Sequence, residues 1–192
     1  MKYFQEISLL PNPEITPYFI WQKLSQKIHL ALVENKTAEN TSAVGVGFPE
    51  YNAAKFVLGR KLRVFAKNEK TLMEMKCEQW LNRLSDYVHV SRIKPVPEKL
   101  DGYACFTHIK PKGSVEKLAR RRAKRKGETM QQALVYFENY EEERSRLPYI
   151  NISSQTNGHH FRLFIEKKKM GHSKTGLFSC YGLSNTTTVP LF

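Results

Sequence analysis

Histidine is the residue type in this sequence that exchanges protons near neutral pH, and His29 has the most informative position of the six. It lies between Ile28 and Leu30, where apolar residues recur at helical spacing. A helical histidine is more often structural or solvent-exposed than catalytic, so this position alone does not define a site. His159 and His160 are adjacent and would point to opposite faces of a strand. Acid–base chemistry by His29 is therefore a hypothesis that requires partners.

The sequence lacks the familiar metal and nucleotide motifs. The GVG at residues 45–47 has no third glycine and no following helix, as a dinucleotide loop requires, and neither GxxxxGK[ST] nor HExxH occurs. The acidic run at residues 141–143 is typical of a solvated surface and suits a two-metal nuclease centre poorly. We therefore expect a mechanism without a metal ion and without a cofactor.

The C-terminal part carries polar side chains that could assist a histidine. ISSQTNGHHFRLFI (residues 152–165) places hydroxyls and an amide in a loop that turns at a glycine before a strand. LFSCYGLSNTTTVPLF (residues 177–192) has Tyr181 embedded in it. Taken alone, these residues are also explained by a β-hairpin with an aromatic core.

Positive charge is concentrated between Lys110 and Lys126, where nine Lys or Arg residues and one acid give +8 of the chain's formal +13. At 100° per residue, a helix there has an apolar seam, interrupted by Arg122 and Lys126, opposite a basic face. That face consists of Lys117, Arg120, Arg121, Lys124 and Arg125. One interpretation is a solvated helix face. Binding to a membrane surface is a weaker interpretation, because the seam is mostly alanine and offers little apolar area to bury. Guanidinium rows suit phosphate oxygens, which favours a nucleic-acid backbone.

Composition sets the broad class. The 192 residues are 41% hydrophobic, enough for a core in one domain or two small ones. A pI near 9.7 points to a polyanionic partner. Three widely spaced cysteines fit a reducing compartment and argue against a disulfide framework and a zinc site. No signal peptide is recognisable and no apolar run approaches the ~18 residues of a spanning helix, so we expect a soluble cytoplasmic protein with no membrane partner.

The first half of the chain predicts the order β-α-β-β-α-β, the ferredoxin-like arrangement within an α+β class. The predicted strands are residues 3–9, 43–48, 61–66 and 87–93, and the predicted helices are residues 17–35, with Thr16 as N-cap, and 69–85.

The proline-bearing segment 94–102 predicts a boundary between a domain of residues 1–94 and one of residues 95–192. The second half is expected to hold a strand near residues 103–109, the basic helix, a helical pattern over 129–142, and apolar stretches around 149–152, 160–165 and 177–183.

Several motifs together resemble one family. SSQTNGHHFRLFI and FSCYGLSNTTTVPLF look like the C-terminal signature of the CRISPR repeat-processing endoribonucleases of type I-F systems. KIHLALVEN, with the histidine inside the first helix, and VGVGFPEY in the second strand are similar to the N-terminal part of that family. The basic helix falls where the family carries its RNA-binding helix. The resemblance covers nearly the whole chain.

The resemblance implies a ferredoxin-like N-terminal domain and a smaller C-terminal domain with the arginine-rich helix. It implies cleavage of precursor CRISPR RNA at the 3′ base of a repeat hairpin, without metal, by 2′-OH attack that leaves a 2′,3′-cyclic phosphate. The protein would be a monomer when free and would then stay on the mature hairpin beside other subunits of a surveillance complex. His29, Ser154 and Tyr181 are the catalytic residues that it implies; His29 would serve as base or as acid.

The same resemblance implies an RNA-binding set. Phe161 matches an aromatic residue that stacks on the base pair at the foot of the stem, and Gln155 lies in the same motif. The helix contacts would be Arg121, Lys124, Arg125 and Lys126, beside Lys117 and Arg120 on the same face. His108 and Lys110 stand where the family has an arginine and a glutamine that read bases, so base preference is expected to differ. A ferredoxin-like protein that binds an RNA stem-loop without cutting it is the alternative.

Overall fold

A computed structural model describes residues 1–55, 57–110, 115–138, 147–153, 158 and 160–192. Its strands are β1 (Tyr3–Leu9), β2 (Thr41–Ser42), β3 (Gly45–Gly47), β4 (Lys61–Ala66), β5 (Val88–Val90), β6 (Lys94–Pro95), β7 (Gly102–Ile109), β8 (Tyr149–Ser153), β9 (His160–Met170), β10 (Phe178–Ser179) and β11 (Val189–Leu191). Its α-helices are α1 (Pro17–Glu34), α2 (Glu69–Met75), α3 (Cys77–Leu81), α4 (Val115–Lys126) and α5 (Met130–Tyr136). The predicted mixture of helices and antiparallel strands is confirmed.

The residues group into two compact units. One joins Met1–Ile109 to Leu147–Phe192, and the other is Lys110–Arg146. The first is called the larger unit and the second the smaller unit below. The division into domains at residues 94 and 95 stays a prediction.

The first sheet of the larger unit has the strand order β3-β4-β1-β5, and β6 also pairs with β1. All of these pairings are antiparallel. Helix α1 begins at Pro17 as predicted; the side chain of Thr16, at the N-cap, makes no capping hydrogen bond to the described residues. The apolar residues of α1 are buried in a core shared with strands of this sheet. They are Ile20, Trp21, Leu24, Ile28, Ala31 and Leu32. Because these residues face the core, only the remaining surface of α1 can contact a substrate.

The second sheet has the order β11-β7-β9-β8, again with antiparallel pairing throughout. Helix α1 also contacts β8, so one helix touches both the core and the edge of this sheet. The Tyr51 hydroxyl donates a hydrogen bond to the Ile165 carbonyl at 2.9 Å, which joins the β3–β4 connection to β9. The long β7–β9 pairing makes this sheet a firm support for β8.

The predicted helix over residues 69–85 is wrong as a continuous element. It breaks at Lys76, which takes a left-handed conformation (φ 49°) between α2 and α3, and a 3₁₀ turn follows at Asn82–Leu84. Met75 and Cys77 lie about 200° apart on a continuous helix, yet both are buried here. The break at Lys76 turns both side chains into the core.

An arginine links the two ends of the larger unit. Arg63 donates through Nε to a carboxylate oxygen of Glu6 at 2.7 Å and through Nη1 to the main-chain oxygen of Phe192 at 2.6 Å. Its guanidinium lies 4.1 Å from the Phe192 ring centroid and 5.4 Å from that of Phe4. Burial alone would raise the pKa of Glu6, but the hydrogen bond and charge of Arg63, helped by Lys61, lower it overall.

The smaller unit is a helix pair. Ala119 of α4 and Ala133 of α5 are fully buried, so the alanine seam serves the contact between these helices. Thr129 and Gln132 form a capping box at the start of α5. Arg122 forms an ion pair with Glu128 at 2.9 Å, and its guanidinium lies 3.7 Å from the ring centroid of Tyr136. The arginine that interrupts the apolar seam therefore holds the smaller unit together.

Candidate active site

His29 lies on the flank of α1, beside its buried residues, and is half-buried. Ile28 and Leu32, the buried residues beside it, anchor the helix on the core side. The backbone of His29 is therefore fixed by apolar packing, while its ring remains accessible. This is the arrangement that proton transfer to a bound substrate requires.

A main-chain carbonyl sets the protonation pattern of the His29 ring. Nδ1 lies 2.8 Å from the carbonyl oxygen of Cys180. Since a carbonyl oxygen only accepts hydrogen bonds, Nδ1 carries the hydrogen in this contact. In the neutral ring, Nε2 then holds the lone pair and can accept a proton.

The ring of Tyr181 fixes the plane of the imidazole. The two ring centroids are 4.1 Å apart and the planes differ by 7°, a parallel stack. Burial raises the pKa of the Tyr181 phenol, and Cys180 adds to the effect. The phenol therefore stays protonated near neutral pH, and the contribution of Tyr181 visible here is its ring face.

A tight turn places Cys180 and Tyr181 against the helix. The amide of Gly182 donates to the Ser179 carbonyl at 2.8 Å, and the amide of Val46 donates to the Gly182 carbonyl at 2.8 Å. Gly182 has φ +70°, and a Cβ on it would collide with Val46. Only glycine satisfies both conditions, so the YG dipeptide of the sequence is a structural requirement of the site.

Beside His29 lies a cleft of about 460 Å³. It is lined by Gln26, His29, Leu30, Val33, Asn40, Ile152, Ser153, Ser179, Cys180 and Tyr181. Ser153 Oγ is 2.8 Å from His160 Nδ1, and Gln22 Nε2 donates to the same Oγ at 3.4 Å. Ser154 and Gln155, which the sequence assigned to catalysis and RNA binding, lie outside the described residues.

The structure brings His29 and Tyr181 together, and it adds contacts of other groups that sequence reasoning missed. The Cys180 carbonyl is invisible to any side-chain pattern. The Ser153–His160 contact follows from their opposed positions in the β8–β9 pairing. A correct register for that hairpin would have found it.

The remaining predicted RNA-binding residues fall on exposed or half-exposed positions. His108 is half-buried in β7, Lys110 is exposed directly after this strand, and Phe161 is exposed on β9. The basic residues of α4 are all exposed: Lys117, Arg120, Arg121, Lys124, Arg125 and Lys126. These placements are compatible with contact to a large ligand and do not identify that ligand.

Among the described residues, no group of three or more His, Cys, Asp or Glu side chains is arranged to hold a metal ion. Within the same ranges, no helix combines the length and apolar character needed to cross a membrane.

Fold and site together define a basic protein of mixed α and β structure with an oriented histidine at a cleft. Residues 4–192 match the family described as CRISPR-associated protein (Cas_Csy4), and the chain belongs to this family.

Two relatives carry the name CRISPR-associated endonuclease Cas6/Csy4. One is from Escherichia coli (strain UTI89 / UPEC) and one from Pseudomonas aeruginosa (strain UCBPP-PA14); each is 31% identical over 193 residues, which span all of both chains. A solved structure titled "An RAMP protein binding different RNA substrates" covers 98% of this chain and 100% of its own, at 10% identity and a TM-score of 0.36. A similarity that weak carries no argument.

Proposed function

We propose that this chain is an endoribonuclease that cuts the repeat hairpin of precursor CRISPR RNA at the 3′ base of its stem, without a metal ion. Membership of the Cas_Csy4 family and the names of its full-length relatives support the class of reaction. The observation that carries the chemistry is the His29 ring, held by the Cys180 carbonyl and the Tyr181 face with Nε2 left to accept a proton.

In the proposed reaction, His29 Nε2 removes the proton of the 2′-OH next to the scissile phosphate. The 2′ oxygen attacks phosphorus in line, the bond from phosphorus to the 5′ oxygen breaks, and that oxygen takes up a proton from water. The hydroxide left behind is neutralised by the proton that His29 then releases, which restores the neutral ring. The products are a 2′,3′-cyclic phosphate and a 5′-OH end. General base catalysis contributes roughly 10²–10⁴-fold, and the rest comes from positioning.

Ser154 is assigned to the 2′-OH as a hydrogen-bonding partner. Support for this comes from the sequence: Ser154 directly follows Ser153, which lines the cleft, and it belongs to the SSQT motif. Tyr181 is assigned to orienting the imidazole rather than to proton transfer, in keeping with its stacked ring and raised pKa.

The basic face of α4 is assigned to the hairpin stem. Six exposed cations on one helix offer a dense positive charge to a phosphate backbone, and each phosphate contact releases counterions. The accompanying roles are base reading by His108 and Lys110, stacking by Phe161 and contact by Gln155. Strand order β3-β4-β1-β5 with helices between its strands supports a ferredoxin-like first domain. After cleavage the protein is proposed to remain on the hairpin beside other subunits of a type I-F complex.

The test is incubation of the protein with a repeat hairpin RNA in excess EDTA. We expect one cut, a product that carries a 2′,3′-cyclic phosphate, and no cut when the 2′-OH at that position is replaced by hydrogen. A 3′-OH product, or activity that EDTA abolishes and magnesium restores, contradicts the mechanism. Tight binding of the hairpin with no cut at all identifies the non-catalytic RNA-binding alternative.

A further inference from the structure

Two large aromatic side chains are exposed at the start of α1. Tyr18 has 59% of its surface exposed and Phe19 has 49%, whereas the apolar residues that follow them on this helix, from Ile20 onward, include its buried set. Side chains of this size contribute strongly to any contact that covers them. Their exposure identifies a surface that nothing in the larger unit covers among the described residues.

These rings lie on the same face of α1 as the catalytic histidine. Tyr18 and His29 are eleven residues apart, which places them within about 20° of one another around the axis and about 17 Å apart along it. Gln22 and Gln26 fall between them on this face, and Phe19 lies at its edge. The buried residues of α1 occupy the adjoining arc, whose nearest member, Ser25, lies about 20° from Tyr18 and about 40° from His29 around the axis. One helix face therefore runs from the aromatic pair to the cleft.

Contacts at both ends make this face continuous with the site. Gln22 reaches Ser153 on the cleft wall, and Gln26 itself lines the cleft. At the other end, the Lys23 ammonium lies 5.3 Å from the ring centroid of Phe19. The first turn of α1 contains no acidic residue. An aromatic surface with an amide track and a cation suits a strand of nucleotides better than an apolar peptide.

We infer that Tyr18, Phe19 and Lys23 form a platform for the single-stranded RNA that continues beyond the cut, an inference that rests on the proposed function. Bases stack on the two rings, and Lys23 neutralises a phosphate of the same strand. At 3.4 Å per stacked nucleotide, the 17 Å along α1 correspond to at most about five nucleotides from the scissile phosphate. Stacking of this kind tolerates any base, so the platform extends the substrate without adding sequence specificity.

The test compares two hairpins that cannot be cut because each has a 2′-deoxy nucleotide at the cleavage position. One ends a single nucleotide beyond that position, and the other continues for six nucleotides with a fluorescent adenine analogue at the third. For the unmodified protein we expect the extension to tighten binding about five- to tenfold and the analogue to be quenched by stacking. In Tyr18→Ala/Phe19→Ala the affinity ratio falls to about one and the quenching is lost. Lys23→Gln flattens the salt dependence of the ratio.

Three controls keep the outcome interpretable. Phe19→Trp keeps a stacking surface and should retain the quenching. Met73→Ala removes a side chain that is 63% exposed on α2, away from this face of α1, and should leave the affinity ratio as in the unmodified protein. Unfolding curves of the variants check that exposed substitutions leave the fold intact.

Equal affinity of the unmodified protein for the short and the extended hairpin overturns the platform. An affinity ratio that is unchanged in the double alanine variant also overturns the platform. A double variant that binds both RNAs normally but no longer joins the other complex subunits overturns it too, and identifies this face as a protein interface. Because both hairpins are uncleavable, the outcome does not depend on catalysis. Absence of cleavage in the EDTA experiment rejects the proposed function separately.

Discussion

The larger unit holds His29 through contacts between residues far apart in the chain, whereas the smaller unit presents its cations from one continuous helix. His29 and Cys180 are 151 positions apart, and the turn at Gly182 must meet β3 before the histidine is oriented. The charges of α4 need only helical spacing and an alanine seam. Orienting one nitrogen demands a folded core; attracting a polyanion demands only a density of charge.

The largest effect is expected from the residue that depends most on tertiary structure. His29→Ala should reduce the cleavage rate about 10²–10⁴-fold because it removes the proton acceptor. Hairpin affinity should stay within about twofold, because His29 is assigned no phosphate. Single-turnover kinetics and filter binding measure the two quantities.

His89→Ala, which removes an exposed histidine on β5, is the matched control and should cleave normally. A His29→Ala protein that cuts at the rate of the unmodified protein would refute the assignment of the base.

For the basic face of α4 we expect the opposite pattern, a loss of affinity with little change in the cleavage rate. Replacement of Lys117, Arg120, Arg121, Lys124 and Arg125 by alanine should weaken hairpin binding and lower the slope of log K against log[salt] by about 3.5–4.5, at 0.7–0.9 per phosphate contact. The cleavage rate at saturating RNA should change much less than the affinity, because no residue of this face is assigned to proton transfer. Titrations at several salt concentrations measure the slope, and an unaltered slope would place the RNA elsewhere.

A smaller effect on kcat is expected from Tyr181, whose ring stacks on that of His29. Tyr181→Ala should lower kcat up to about tenfold with little change in KM, since an aromatic pair contributes roughly 0.5–1.5 kcal/mol. Tyr181→Phe keeps the stack and should restore most of the rate. If phenylalanine is as poor as alanine at this position, the hydroxyl of Tyr181 takes part and orientation by the ring is an insufficient account.

Two neighbouring arginines of α4 separate folding from binding. Arg122→Met breaks the ion pair with Glu128 and the contact with Tyr136, and should cost about 1 kcal/mol of unfolding free energy. Arg121→Met, at an exposed position on the basic face, should weaken RNA binding and leave stability within about 0.5 kcal/mol. Urea unfolding and hairpin titration of both variants measure this. Equal losses of affinity would mean that Arg122 also binds RNA.

The smallest effect concerns acid stability of the larger unit. Because the pKa of Glu6 in the folded protein is lowered from its ordinary value, chiefly by Arg63, its contribution to stability is present above the ordinary pKa and is lost as the pH falls through the folded pKa. Unfolding free energies measured from pH 6 down to pH 3 should therefore fall more steeply for the unmodified protein than for Glu6→Gln. Parallel curves would mean that Arg63 does not favour the ionised carboxylate.

The sequence predicted those elements that one repeating pattern determines. Strands β1 and β4 and the start of α1 lie where strand composition and apolar periodicity indicated, and Ala119 of the predicted seam is buried. The helix over residues 69–85 failed at Lys76, because a left-handed residue that brings two buried side chains to one core has no periodic signature. Long-range packing decided that position.

For the candidate site, the sequence predicted which side chains take part but not which main-chain groups contact them. Chemistry singled out His29, and family resemblance added Tyr181 and Ser154. The Cys180 carbonyl could not be predicted, because every residue has one and only the fold selects which carbonyl meets Nδ1. The same holds for the turn at Gly182, where the glycine was visible but its collision partner Val46 was not.

Orientation of the His29 ring by a backbone oxygen makes the two positions beside Tyr181 unequal in mutational tolerance. Cys180 holds His29 through its main-chain oxygen, and its side chain is buried. Small apolar replacements at residue 180 leave the carbonyl in place, so this position should tolerate them without loss of cleavage. Residue 182 cannot, because any Cβ there displaces the turn. A saturation scan for cleavage would find a permissive position and an invariant one on either side of the tyrosine.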